Sequence, residues 1–249
     1  MHFTKTMRAL ATSAVLAGML AACGGGSDGG GPTVGGWVGT TATNRDLTAV
    51  IVPDGSYYLM YSAVGDPNTV GGAVQGTSTL DGEAFTSSDA LDFSAEGAGI
   101  KPAAVAAVLE GGVKFDGTVT STGGAAVSFQ SHFDGGGSSV PPAASLQRLA
   151  GAYTGTAGFA LGVRPATFTV ASDGSVTSSI NGCAITGTAK PRADIAAYDL
   201  TIAFGPAPCA IPNLSFTGIA YLRLDNGRLY ATARNAATKQ SVIFNGGKG

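Results

Sequence analysis

The two halves of this 249-residue chain repeat the same short pattern. Residues 34–40 (VGGWVGT) match residues 150–156 (AGAYTGT), so that the aromatic Trp37 corresponds to the aromatic Tyr153. Each half therefore opens with an aromatic-x-Gly-Thr segment. Self-similarity at a long period indicates that one structural unit occurs twice, so we predict two related modules.

Further matches support this duplication and give the module boundaries. The matched pairs are 54–56 with 173–175, 76–77 with 187–188, 115–117 with 216–218, and 127–129 with 242–244. Residues 135–145 are rich in Gly, Ser and Pro, which is typical of a linker. We predict an N-terminal module at 34–134 and a C-terminal module at 146–249.

Within the modules, apolar and polar residues alternate with a period of two, which is typical of β-strands. The pattern is clear at 198–204 (YDLTIAF) and 216–224 (FTGIAYLRL). Between two such runs, Asn226-Gly227 predicts a two-residue hairpin turn of type I′. Only residues 102–110 (PAAVAAVLE) leave two alternatives open, a short helix and an Ala-rich strand.

Short strands separated by turns favour an antiparallel sheet that closes on itself, because closure leaves no unpaired strand edge. The 39 glycines fit this geometry, since glycine permits tight coiling and barrel corners. The predicted fold class is therefore all-β, with two tandem small antiparallel β-barrel or barrel-like modules. The strands are too few for a membrane pore of useful width.

The first 22 residues have the features of a targeting segment that is removed from the mature protein. Lys5 and Arg8 precede an apolar run, residues 9–20, that is too short to span a bilayer. The run leads into Leu-Ala-Ala-Cys at 20–23, which resembles the lipobox of bacterial lipoproteins. The resemblance implies cleavage before Cys23 and its acylation. The alternative is an ordinary secretory signal with a chance cysteine.

Residues 23–33 combine the lipidated cysteine with a Gly-rich tether, whose flexibility would hold the folded part off the membrane. Gly24 rather than Asp follows the cysteine, and the resemblance then implies the outer membrane, with the modules facing the periplasm or the cell surface. The expected partner is the membrane, through acyl chains on Cys23. An envelope protein, an extracellular protein or a small ligand is a further expected partner.

Cys183 and Cys209 remain as a pair in the second module. In an oxidising compartment this pair predicts a disulfide, and closing a loop of about 27 residues contributes roughly 3 kcal/mol in the chain-entropy model. A metal site with two thiolates is the alternative, although neither a His nor a third thiol lies in that half to complete it.

The second module, from LAGAYTGT at 149–156 to FNG at 244–246, resembles the small Gly-rich β-barrels of transferrin-binding-protein-B-like surface lipoproteins. It is also similar to uncharacterised two-module lipoproteins with an aromatic-x-Gly-Thr opening in each half. The resemblance does not extend to the large handle domains of such receptors. It implies a barrel fold and a binding role, rather than transferrin binding itself.

Candidate catalytic residues are few. The two histidines, at positions 2 and 132, exclude a polyhistidine metal site and any catalytic triad not built on His132. Matches to GxSxG and GxGxxG at 24–29 lie in the tether, without the strand-turn-helix context that gives these motifs meaning. We expect no enzyme activity and no cofactor. An enzyme whose site no motif reveals is the remaining alternative in that class.

Several residues are candidates for ligand contact. His132 lies on the polar face of a predicted strand, where a solvated residue and a ligand contact both remain open. Tyr57 and Tyr61 share one face of another strand, as core residues or as contacts to haem or an aromatic ligand. An acidic run forms either a solvated face or a Ca²⁺ site, although its spacing matches no EF-hand loop. The acids are Asp81, Glu83, Asp89, Asp92 and Glu96.

Charge is divided unequally between the modules. Residues 24–140 have a net charge of −9, and residues 141–249 have a net charge of +5. The modules therefore attract each other, or present an acidic and a basic surface to other partners. Arg223, Arg228 and Arg234 flank the predicted hairpin and form a candidate rim for lipid phosphates, peptidoglycan carboxylates or an acidic protein. The overall balance gives no basic footprint for nucleic acid.

The predicted function is noncatalytic binding by a lipid-anchored protein of the cell envelope, with the ligand unidentified. A structural or accessory subunit of an outer-membrane or periplasmic complex is the main alternative.

Overall fold

The computed structural model describes residue 2 and residues 31–138, 140–159 and 162–249. The predicted signal peptide, Cys23 and the tether up to residue 30 lie outside this part of the chain, apart from residue 2. The described residues form β-strands and one short helix, α1 (Leu146–Leu149). No helix in the described ranges has the length and apolar character needed to cross a membrane.

The first module is a closed antiparallel barrel of eight strands with one short additional strand. The strands are β1 (Gly35–Thr41), β2 (Asp46–Ile51), β3 (Ser56–Ala63), β4 (Asp66–Thr77), β5 (Thr79–Asp81), β6 (Ala84–Ser94), β7 (Gly99–Glu110), β8 (Lys114–Ser121) and β9 (Ala126–Phe133). Pairing of β1 with β9 and of β4 with β6 closes the barrel. Strand β5 pairs with β6 and extends it beyond the closed wall.

The second module is a closed barrel of eight strands in simple sequence order. The strands are β10 (Gly151–Phe159), β11 (Gly162–Val170), β12 (Ser175–Ile180), β13 (Cys183–Pro191), β14 (Tyr198–Phe204), β15 (Ser215–Leu222), β16 (Leu229–Arg234) and β17 (Ser241–Lys248). Pairing of β10 with β17 closes it. The prediction of an all-β fold with two tandem antiparallel barrels is confirmed.

The two barrels share the local structure that the repeat predicts. In the turns at 54–56 and 173–175, the Ser amide donates a hydrogen bond to the Asp Oδ1 at 2.9 Å. Gly55 and Gly174 both have a φ of 85°, which a residue with a side chain rarely adopts. The same turn therefore joins the second and third strands of each barrel.

Steric crowding requires the glycine of the aromatic-x-Gly-Thr segment in both barrels. A Cβ atom would lie 1.9 Å from the Gln130 carbonyl oxygen at Gly39, and 2.0 Å from the Asn245 carbonyl oxygen at Gly155. In each barrel the first strand passes the last too closely for any side chain at this position. Trp37, two residues before Gly39, is completely buried inside its barrel.

Two sequence-based expectations are wrong. Residues 115–117 lie on β8, the seventh strand of the first barrel, whereas residues 216–218 lie on β15, the sixth strand of the second. These segments are therefore not equivalent.

The expected two-residue turn at 226–227 is a longer loop, because the Arg223 amide donates to the Arg228 carbonyl at 3.0 Å. Asn226 also lacks the positive φ that a type I′ turn requires.

The ambiguous segment 102–110 is a strand, since it lies within β7. Its alternating burial has a simple cause: one face lines the barrel and the other is largely exposed. The helix alternative is excluded.

The outer faces of the two barrels pack against each other. The first barrel contributes apolar residues from β2, β3, β4 and β6 and from the loops that follow β2 and β6. The second barrel contributes residues from β15, β16 and β17 and from the loop before β14. The buried residues of this interface are Val50, Val52, Met60, Val70, Ala73, Phe93, Ala95, Ile195, Ala197, Ile219, Tyr221, Tyr230 and Ile243. Both faces of β3 are therefore buried, one inside its barrel and one between the barrels.

Charge complementarity at this interface centres on Arg223, whose side chain is only 6% exposed. Its Nη1 donates to Asp46 Oδ2 of the first barrel at 2.6 Å and to Thr48 Oγ1 at 3.2 Å. Its Nε donates to Asp225 Oδ1 at 2.9 Å. The charge pattern left two alternatives, attraction between the modules or separate charged surfaces for other partners. The ion pair between Arg223 and Asp46 is an example of the first.

Candidate functional site

The first barrel has a packed end, where β1 begins, and an open end, where β1 finishes. Edge-to-face aromatic rings fill the packed end, with neighbouring centroids between 4.9 and 6.1 Å apart. The rings belong to Trp37, Tyr57, Phe85, Phe115, Phe129 and Phe133. This cluster forms a solid floor inside the barrel.

Above this floor, the open end contains a cavity of about 230 Å³, which we call the cup. Its walls are apolar and its mouth is polar. Wall residues include Leu47, Leu59, Val74, Val119, Val127 and Phe129, and mouth residues include Thr41, Thr43, Arg45, Asp92, Ser94, Glu96 and Ser121. An apolar cavity of about 150 Å³ can hold benzene, so the cup has room for an aromatic ring with a short substituent.

The central polar group of the cup is the half-buried carboxylate of Asp92. Its Oδ1 accepts a hydrogen bond from the Tyr61 hydroxyl at 2.8 Å, and its Oδ2 accepts one from the Ser121 hydroxyl at 2.6 Å. None of the six ion pairs found among the described residues includes Asp92. The carboxylate is thus held by two neutral hydroxyl donors and has no cationic side chain paired with it among the described residues.

A β-bulge turns Asp92 toward the cup. Ser87 pairs with Val105 and Ala90 pairs with Ala103, so β6 gains one residue relative to β7 at this point. The extra residue inverts the alternation along the rest of β6. Asp92 consequently faces the interior, while Phe93 faces outward and packs at the interface with the second barrel.

Tyr61 reaches Asp92 because Gly72 on the neighbouring strand leaves room for its ring. A Cβ at Gly72 would lie 2.1 Å from the Tyr61 hydroxyl oxygen. Burial, reinforced by the Asp92 charge, raises the pKa of Tyr61 far above its usual value. The phenol therefore stays protonated and remains a hydrogen-bond donor to the carboxylate.

Arg45 and Glu96 form a second polar group at the mouth. Arg45 Nη2 lies 2.7 Å from Glu96 Oε2, and its Nη1 donates to the Ser62 carbonyl at 2.8 Å. The guanidinium carbon lies 5.3 Å from the centre of the Tyr61 ring, a cation–π distance. Glu96 thus neutralises Arg45, and the three charged side chains of the cup sum to −1, a charge carried by Asp92.

Of the candidate tyrosines and His132, the structure brings only Tyr61 to the cup. Tyr57 is completely buried in the aromatic floor, and burial raises its pKa to about 12. His132 is exposed on the outside of β9, opposite the buried face that contains Phe129. Tyr57 is therefore a core residue and His132 a solvated surface residue.

The three candidate arginines do not form a common rim. Arg223 is buried in the interface between the barrels. Arg228 follows the loop and donates from its Nε to Asn245 Oδ1 at 2.9 Å. Arg234 lies at the other end of β16. The expectation of a shared basic rim assumed that a short hairpin turn would expose Arg223, and docking of the barrels buries it instead.

The acidic run is dispersed. Asp81 and Glu83 are exposed, Asp89 accepts a hydrogen bond from the Thr77 amide, and Asp92 and Glu96 belong to the cup. In the described part of the chain, no three His, Cys, Asp or Glu side chains are grouped as metal ligands.

Cys183 and Cys209 are joined by a disulfide between the start of β13 and the loop from β14 to β15. The two-thiolate metal site is therefore excluded. Cys23 lies outside the described residues, and its acylation stays a prediction.

A smaller cleft of about 200 Å³ lies at the end of the second barrel beside this disulfide. Phe159, Phe204 and Ile211 line it, together with Arg164. The interior beneath it is filled by aliphatic and aromatic side chains and leaves about 30 Å³. Of these two barrel-end cavities, the cup has the larger volume and the greater number of polar groups at its mouth.

The sequence pattern did not indicate Arg45 or Ser121 as site residues, and it placed Asp92 only within the acidic run. For Arg45 one sequence feature could have indicated a special role: it is one of only three basic residues in 24–140. Nothing in the local pattern marked Ser121, which meets Asp92 only through strand pairing around the barrel.

Comparisons of the chain with protein-family models, curated proteins and solved structures give no match. The similarity to transferrin-binding-protein-B-like lipoproteins therefore stays a prediction from the sequence, and the barrel fold is established by the structure.

Proposed function

We propose that this protein is a lipid-anchored cell-envelope protein whose first barrel binds a small ligand in the cup without catalysing a reaction. The cup carries the proposal. It is a concave, mostly apolar cavity with a few convergent polar groups at its mouth, which is the usual form of a small-molecule site.

The polar groups of the cup support binding rather than catalysis. Tyr61 is held as a neutral donor to Asp92, and Arg45 is paired with Glu96. The Ser121 hydroxyl donates to Asp92 directly, without the His that activates a serine nucleophile in a catalytic triad. His132 lies outside the cup, on the outer surface of β9. These groups can orient a ligand through hydrogen bonds at the mouth of the cup.

The attachment of the tether suggests how the cup is oriented. The Gly31 amide donates to the Gly111 carbonyl at 2.9 Å, and the Gly112 amide donates to the Pro32 carbonyl at 2.8 Å. Both contacts are at the hairpin between β7 and β8, at the packed end. Seven residues separate Cys23 from Gly31, a reach of at most about 28 Å. A lipid on Cys23 would keep the packed end near the membrane and direct the cup away from it.

Filling the cup should abolish binding. Val119→Trp places an indole in the cavity, because Val119 lines the cup wall. We expect the wild-type protein to bind the neutral probe 2-phenylethanol, followed by chemical-shift changes of cup residues, and the variant to bind it at least about ten-fold more weakly.

The matched control is Val108→Trp, which puts the same side chain on the outer surface of the same barrel, where Val108 is 44% exposed. This control should bind like wild type, and thermal unfolding should show that both variants are folded. Undiminished binding by Val119→Trp would contradict a site in the cup.

The anchor has a separate test. Cys23→Ser removes the thiol that accepts the diacylglyceryl group, so we expect loss of palmitate incorporation and loss of membrane retention. Ser27→Ala in the tether is the control and should leave both unchanged. The measurement is radiolabelled-palmitate incorporation with membrane fractionation. Normal membrane retention of the Cys23→Ser protein would sink the lipoprotein assignment.

A further inference from the structure

We propose that the cup selects cationic ligands, namely small molecules that join a protonated amine to a compact apolar body. This inference rests on the proposed function, since it names the ligand class of the same site. It is carried by one juxtaposition: an uncompensated carboxylate, Asp92, set between two hydroxyl groups at the top of an apolar cavity.

The hydrogen-bonding capacity of Asp92 is only partly used. An ionised carboxylate has about four acceptor positions, and Tyr61 and Ser121 occupy one on each oxygen. The remaining positions are available to the N–H groups of an ammonium ion. Hydrogen bonds between charged partners are shorter and about twice as strong as those between neutral groups.

The position of Asp92 strengthens this preference. The carboxylate is half-buried in the barrel, where charges interact more strongly than they do in water. The two hydroxyl donors also fix its orientation before a ligand arrives, which reduces the entropy lost on binding. An ammonium group placed at Asp92 brings the net charge of the cup from −1 to zero.

Anionic ligands are disfavoured by the same arrangement. The cup contains one cation, Arg45, and Glu96 already neutralises it at 2.7 Å. An anionic head group would have to displace Glu96 or lie beside Asp92, and both alternatives cost electrostatic energy. The site thus combines attraction for one charge with rejection of the other, which is how specific sites discriminate.

The apolar walls determine the rest of the ligand. Leu59, Val74 and Phe129 line the cavity below the polar mouth, and its volume of about 230 Å³ exceeds the roughly 150 Å³ that accommodates benzene. A ring, or an aliphatic group of similar volume, fits below while a short arm carries the amine to Asp92. Arylalkylamines and compact alkylamines meet this description.

Three probes with the same ring test the inference. At pH 7, 2-phenylethylammonium is cationic, 2-phenylethanol is neutral and 3-phenylpropanoate is anionic. Because hydrogen bonds to charged groups are stronger than those between neutral groups, we expect the ammonium probe to bind wild type at least about ten-fold more tightly than the alcohol. The anion should bind most weakly. Titration calorimetry and chemical-shift changes of cup residues supply the affinities.

Asp92→Asn isolates the charge. Asn keeps the shape of the side chain, so we expect 2-phenylethanol to bind as it does to wild type and the advantage of the ammonium probe to disappear. Asp89→Asn is the matched control, since it removes an acid from the same strand outside the cup. It should keep the ammonium preference.

The outcomes separate this inference from the proposed function. Equal affinities of the three probes for wild type would overturn cation selection while leaving binding in the cup intact. No binding of any probe, or binding that survives Val119→Trp, would reject the cup as a site altogether. The order of wild-type affinities decides the inference even where Asp92→Asn lowers stability. Loss of the ammonium preference in Asp89→Asn would also overturn the inference. The preference would then depend on the summed negative charge of the barrel rather than on Asp92.

Discussion

Arg223→Met is expected to lower the free energy of unfolding by about 2–5 kcal/mol, because it breaks a buried ion pair and leaves two carboxylates, Asp46 and the more exposed Asp225, without their cationic partner. Arg223 is 6% exposed and binds Asp46 across the interface between the barrels. Methionine replaces the alkyl stem and not the guanidinium. Asp46 then remains partly buried with the Tyr230 hydroxyl as its neighbour. Urea unfolding measures the loss.

The matched control for this prediction is Arg192→Met. Arg192 also pairs with two aspartates, Asp194 and Asp199, but within the second barrel and with partners 40% and 54% exposed. Exposed pairs contribute about 0–1 kcal/mol. Similar losses for the two variants would show that burial between the barrels does not set the strength of the Arg223 contact.

The effect of Arg223→Met should also depend on pH. Burial raises the pKa of Asp46, and Arg223 opposes this increase, so removing Arg223 raises the pKa further. A folded-state pKa above the unfolded value means that ionisation of the carboxylate costs stability at pH 7. That cost disappears where Asp46 is protonated. The deficit of the variant relative to wild type should therefore shrink between pH 7 and pH 4, and a constant deficit would contradict this account.

Replacing both disulfide cysteines, as Cys183→Ser with Cys209→Ser, is expected to cost roughly 3 kcal/mol in unfolding free energy. The bond joins residues 26 apart in sequence, so its loss restores freedom mainly to the unfolded chain. In the folded protein it ties the loop between β14 and β15 to the start of β13. Urea unfolding of the double variant gives the difference.

Reduction provides the control for the disulfide. Dithiothreitol should lower the stability of wild type to the level of the double variant and leave the variant unchanged. Thiol labelling of the non-reduced protein should leave Cys183 and Cys209 unmodified. Quantitative labelling, or equal stability of wild type and variant, would contradict a stabilising bond.

Much of the fold could be predicted because its signals are local. Alternation with a period of two identifies strands, and the repeated segments around Trp37 and Tyr153 identify two equivalent units. The Asp-Gly-Ser turns have the same hydrogen bond and the same glycine φ in both barrels, as their shared sequence implies. The match between 115–117 and 216–218 failed, because a short Phe-x-Gly pattern recurs on strands that are not equivalent.

The candidate site was harder to predict because it depends on which face of a strand each side chain occupies and on which strands pair around the barrel. Strict alternation along β6 places Phe85 and Phe93 on one face and Asp92 on the other. The bulge between Ser87 and Ala90 reverses this relation, so that Asp92 enters the barrel. A bulge adds one residue without a distinctive sequence signal.

The sequence by itself determined the number of modules, their all-β character and the pairing of two cysteines, because periodicity, repetition and cysteine count are properties of the linear chain. Only the tertiary structure decided which charges are free. It buried Arg223 against Asp46, neutralised Arg45 with Glu96, and left Asp92 between two hydroxyl groups in the cup. These outcomes depend on which strands meet around a closed barrel and on which face of one barrel docks on the other.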